Sequence, residues 1–110
     1  MTTVVKPLGQ VAPSAATLTT LYTAPAATEA IVSTLTICNR SAVATSFRVA
    51  LRALGASIAD EHYLYYDILI PGNESFAATL GWTLQATDVV SVYATLATLS
   101  FTLSRQEITA

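Results

Sequence analysis

The chain has 110 residues, the size of one ordinary domain, and carries only five basic and seven acidic side chains for a net charge of −2. The cations, Lys6, Arg40, Arg48, Arg52 and Arg105, are too few and too scattered to form a phosphate-binding stripe, which argues against nucleic acid as a direct partner. Mean hydropathy is +0.54, so apolar surface left over after folding needs cover from a membrane or from other subunits.

No run approaches the roughly 20 apolar residues of a spanning helix, and a membrane barrel would place its aromatic residues in two girdles. Subunits are therefore the expected cover. Residues 1–18 contain one lysine and no continuous apolar stretch, which reads as no secretory signal. The sequons at Asn39 and Asn73 then read as chance matches near turns. Cys38 is the sole cysteine; no intrachain disulfide is possible, and a small buried apolar group is the expected state.

In chain order, residues 1–16, with "KPLGQVAPSAA", show two prolines and little periodicity. They predict an extended N-terminal arm, with residues 17–110 as a single β-sandwich domain. From there the period is two. "TLTTLYT" is followed by the breaker "APAAT". "IVSTLTICN" places Ile31, Ser33, Leu35 and Ile37 on one face and Val32, Thr34, Thr36 and Cys38 on the other. After the polar turn "NRSAVA", the segment "TSFRVALR" puts Phe47, Val49 and Leu51 inward and Arg48, Ala50 and Arg52 outward. "LGASIADEH" reads as a loop or one helical turn.

Further on, "PGNE" at 71–74 is the strongest turn signal, because Pro71 presets φ while Gly72 and Asn73 tolerate positive φ. Phe76, Ala78, Leu80 and Trp82 then share a face, "ATD" at 86–88 turns the chain, and Leu99, Phe101 and Leu103 point inward. Seventeen threonines among many Val, Ile and Tyr residues agree with strand. About seven or eight strands at this spacing predict an all-β antiparallel sandwich, jelly-roll or Ig-like.

The stretch "HYLYYDILIP", 62–71, holds the only histidine and three of the five tyrosines. Asp60, Glu61, His62 and Asp67 form the one local cluster of metal-ligand types, but strand alternation sends neighbours to opposite faces. No metal and no cofactor are expected. His62 lacks a nucleophile partner in any recognisable frame, and glycine-rich phosphate loops are absent, so the expectation is a non-enzymatic protein. Strict alternation assigns His62, Leu64, Tyr66, Ile68 and Ile70 to the core and Tyr63, Tyr65, Asp67 and Leu69 to the outer face. Tyr63, Tyr65 and Asp67, with Arg48 and Arg52 on the outer face of their own strand, are the candidate protein-interface residues. An exposed aromatic ladder with no partner is the plain alternative, and tyrosines of this kind also stack on sugars.

The ordered series "LYTAPA" at 21–26, "ICNR" at 37–40, "FRV" at 47–49, "HYLYYD" at 62–67 and "TDVVSVYA" at 87–94 resembles small proteins encoded among the virion genes of tailed bacteriophages. The resemblance spans residues 17–109. It implies a structural part of the particle (head decoration, neck, tail, baseplate or fibre), built in the host bacterial cytoplasm. It also implies partners that are other copies of the chain, as a trimer or higher, and other virion proteins. The alternative is a carbohydrate- or receptor-binding module of a fibre, with a host-surface glycan as partner.

Overall fold

The structure, a computed structural model, describes residues 2–109 except for the side chains at 2, 80, 105, 106 and 109. Its strands are β1 (Thr2–Val11), β2 (Thr19–Thr23), β3 (Thr28–Asn39), β4 (Thr45–Arg52), β5 (Tyr63–Ile70), β6 (Ser75–Leu84), β7 (Val89–Ala94) and β8 (Leu99–Thr109). Two short 3-10 turns, Ala53–Gly55 and Asp60–His62, fill the segment between β4 and β5.

All pairing is antiparallel, and it is nested: β1 with β8, β2 with β7, β3 with β6 and β4 with β5. The chain is thus one long hairpin of four strands against four, doubled over. Two further pairings, β3 with β8 and β4 with β7, roll that hairpin into two facing sheets of order β1-β8-β3-β6 and β2-β7-β4-β5. This is a jelly-roll sandwich. The segment expected as an arm is extended, and from Thr2 to Val11 it is the rim strand β1, paired with β8 from Thr2–Thr109 to Val11–Phe101.

The core lies where the sheets face each other. Phe47 is its centre, with ring centroids 5.2 Å from Phe76, 6.3 Å from Phe101 and 6.3 Å from Tyr65. Phe47 and Tyr65 come from one sheet, Phe76 and Phe101 from the other, so tilted and edge-to-face aromatic contacts join the two layers. Leu35, Ile37, Val49, Leu99, Phe101 and Leu103 are fully buried, as alternation predicted, and Trp82 packs half-buried against them.

Bulges change the parity elsewhere. The register of β3 slips between Val32 and Thr34 against both neighbours. Ala30 and Val32 therefore face inward before the slip, and Leu35 and Ile37 after it. Ile31 and Ser33, expected on the core face, are only half-buried. Cys38 lies on the outer face and is exposed, which corrects the expectation of a buried thiol. A bulge uses one extra residue and so reverses every later side chain.

Asn39, the first sequon, is buried. Its amide nitrogen donates to the carbonyls of Val43 at 2.9 Å and Pro71 at 3.2 Å, and its oxygen accepts from the Ser41 amide at 3.1 Å. It therefore ties the turn after β3 to the "PGNE" turn. Gly72 is needed there because a Cβ would run into the Ala42 carbonyl. At another corner Asp88 accepts from the amides of Leu54 and Gln85, each at 2.9 Å, so the turn it was expected to make is joined to the turn after β4.

A third tie crosses the sheets. The Tyr22 hydroxyl on β2 donates to Glu107 on β8, and Lys6 of β1 pairs with the same carboxylate at 3.0 Å. Hydrogen bonds from Tyr22 and Lys6 hold the Glu107 carboxyl below its usual range, and burial with the Glu107 contact pushes the Tyr22 hydroxyl up.

Phe47→Ala is expected to cost about 3–5 kcal/mol and Asn39→Ala about 2 kcal/mol, because the latter removes three hydrogen bonds made by a buried side chain. Urea denaturation measures both, and a wild-type midpoint for Phe47→Ala would displace Phe47 from the core. The low Glu107 value makes its stabilisation complete above the unfolded carboxylate pKa of about 4.3. It is lost as the pH falls through the folded value. Melting curves between neutral and acid pH should show Glu107→Gln with a shallower acid loss than wild type.

Candidate interaction site

The outer face of the sheet β2-β7-β4-β5 carries the one concentrated group of polar aromatic chemistry among the described residues. It is built by irregularities in β5. Phe47 pairs with Ile68 and Val49 with Tyr65, so two residues, Tyr66 and Asp67, stand opposite Arg48 alone. Asp67 adopts φ 52°, a left-handed conformation that aspartate tolerates better than most residues. A second shift, between Val49–Tyr65 and Ala50–Tyr63, leaves Leu64 as another extra residue.

The consequence is a cluster centred on Arg48. Its Nε donates to Asp67 Oδ1 at 2.6 Å and its second nitrogen to Oδ2 at 3.3 Å. The guanidinium carbon lies 4.2 Å from the Tyr66 ring centroid and 4.5 Å from that of Tyr93. Tyr93 is the residue directly across from Arg48 on β7. The guanidinium thus touches two aromatic faces and is held in plane by a carboxylate fork. The bond to Asp67 raises the guanidinium pKa above its already high ordinary value. The cation is therefore permanent and locally compensated.

Tyr63 extends the cluster: its ring meets that of Tyr66 edge-to-face, 5.0 Å between centroids at 85°. Asp60, Tyr63 and Tyr66 line an open cleft of about 400 Å³. The turn carrying Asp60 is closed at both ends by Ala59 and His62. The His62 amide donates to the Ala59 carbonyl at 3.0 Å, and the Ala59 amide donates to His62 Nδ1 at 2.9 Å. The only histidine therefore fastens a turn.

The expected interface set is divided by this geometry. Arg48, Asp67 and Tyr63 come together. Tyr65 is corrected to the inner side, where it packs on Phe47 and on Phe76 with centroids 5.8 Å apart in the latter pair. Tyr66 and Leu64, expected in the core, are exposed instead. Arg52 points away from the tyrosines, donating to Ser91 Oγ at 3.2 Å and the Ala56 carbonyl at 3.0 Å. Sequence reasoning missed Tyr66 because it counted strict alternation through the bulge. It missed Tyr93 because only the β4–β7 register sets it beside Arg48. No group of three or more His, Cys, Asp or Glu side chains among the described residues could hold a metal ion.

Comparison with protein-family models, with curated proteins and with solved structures gives no match for this chain.

The stack predicts energetic coupling. A double-mutant cycle of Arg48→Ala with Tyr66→Ala should give a coupling energy of about 0.5–1 kcal/mol in denaturation experiments. Arg48→Lys should recover only part of the loss, since an ammonium lacks the planar fork. Strict additivity would mean that the guanidinium and ring do not interact in solution.

Proposed function

We propose that this chain is a non-enzymatic structural protein of a tailed-bacteriophage virion, a homo-oligomer docked on other virion proteins. The observation that carries self-association is the rim strand β1. It pairs with β8 on one side only, and its first half exposes two successive valines, Val4 and Val5, the latter at 70%. An unpaired, apolar rim strand is a ready surface for another chain. Lys6, drawn to Glu107, and Pro7, without an N–H, interrupt that rim midway. The open part is thus confined to the N-terminal half.

Three further points support the reading. With so few charged residues, little repels a second copy, and a closed ring of copies would cover the valines without leaving open ends. The jelly roll is also an architecture of viral shell proteins, an analogy of fold that supports the virion reading without identifying the partner. The ordered resemblance across residues 17–109 adds the tailed-phage context, and with it assembly in the host bacterial cytoplasm.

Size-exclusion chromatography with light scattering is expected to give a trimer or larger species at micromolar concentration. The double variant Val4→Lys, Val5→Lys should run as a folded monomer. A wild-type monomer would overturn self-association. Mass spectrometry of purified particles from the strain that encodes the chain should find it at structural copy number, and its absence would remove the virion assignment.

A further inference from the structure

We propose that the cleft lined by Asp60, Tyr63 and Tyr66 binds a neutral saccharide unit. Its volume, about 400 Å³, lies in the range of small-molecule sites.

The aromatic wall is held in place. Tyr66 is 55% exposed, yet its ring is fixed from one direction by the Arg48 guanidinium at 4.2 Å and from another by the perpendicular ring of Tyr63. Arg48 is itself fixed by Asp67. An exposed ring braced this way binds with less ordering cost than a free one.

The charges then select among ligands. The cation position on the Tyr66 ring is filled by the chain's own Arg48, whose charge Asp67 balances. A cationic ligand would compete with a guanidinium tethered in place. An anion would meet Asp60 and its neighbour Glu61, both exposed. An uncharged ligand rich in hydroxyls meets neither obstacle.

Asp60 supplies the complementary group. The ion pairs found among the described residues are Lys6–Glu107 and Arg48–Asp67, so its carboxylate is not drawn into either. The two bonds between Ala59 and His62 fix the turn that presents it. A sugar ring laid on the side of Tyr66 away from Arg48 can put its C–H face against the ring while a hydroxyl donates to Asp60 in a charge-assisted bond. The phenol hydroxyls of Tyr63 and Tyr66 add donors and acceptors at the same mouth.

The site belongs to a single chain and does not rest on the virion reading. Two-dimensional ¹H–¹⁵N NMR of the intact protein tests it, titrated with methyl glycosides of glucose, galactose, N-acetylglucosamine and rhamnose, and followed by a glycan array. At least one neutral glycan is expected to shift amides of residues 60–67 saturably at millimolar concentration. Asp60→Asn and Tyr66→Ala should each weaken it about tenfold or more, while Tyr66→Phe keeps the ring and most of the affinity. Tyr65→Phe, on the inner side, should leave it unchanged. Thermal melts check that each variant is folded, and Asp60→Asn, at an exposed position, reports on the site without disturbing the core. No binding by any neutral glycan would overturn the proposal, as would binding indifferent to Asp60→Asn and Tyr66→Ala alike. Stronger shifts at the cleft with choline or inorganic phosphate would also overturn it.

Discussion

Everything in this molecule depends on the antiparallel pairing of the first half of the chain with the second. Among the described residues no strand of the first half is hydrogen-bonded to another strand of that half; each finds its partners among β5 to β8. The outermost pair joins Thr2 to Thr109, so the rim of one sheet is closed only when nearly the whole chain is in place. Such contacts are costly in loop entropy and are repaid only by a core that forms at the same time. That core is the set of aromatic rings around Phe47, drawn from both sheets. Neither sheet can bury its inner face alone, so pairing and packing are one event.

The same nesting sets the surface. Rolling the hairpin leaves β1, β6, β2 and β5 as rims, and two of these carry the chemistry of interest. On β1 the rim is apolar and open for half its length. On β5 it is interrupted by bulges, which spoil it as a pairing edge but push Tyr66 and Asp67 outward together. The first is the rim proposed to meet another copy of the chain. The other makes a braced aromatic wall next to a carboxylate. A jelly roll can use both at once because they lie on different sheets.

Arg48 shows how a lone charge on an apolar protein is used. Fully exposed, it would contribute little to stability or to recognition. Set between Tyr66 and Tyr93 and forked to Asp67, it becomes a brace for rings that would otherwise wave in solvent. His62 shows the opposite outcome for a residue that looked chemical. It accepts one amide bond and shapes a turn, and its value to the site is the position it gives Asp60.

Fold class, most strand positions and much of the core are legible in the order of residues alone. Phe47, Val49, Leu99, Phe101 and Leu103 alternate without interruption, and the pleat must send alternate side chains to one side. The "PGNE" turn was legible for a similar local reason, since Pro71 presets φ while Gly72 and Asn73 accept backbone angles that most residues avoid. Which tyrosines face outward, the exposure of Cys38, the buried staple at Asn39 and the meeting of Tyr93 with Arg48 emerge only in the closed sandwich. Each of these depends on where a bulge falls or on which strands are neighbours. A bulge follows from register across strands distant in sequence, and one added residue reverses every face beyond it. Alternation is a local property of the chain, whereas register belongs to pairs of strands that meet only when the sandwich has closed.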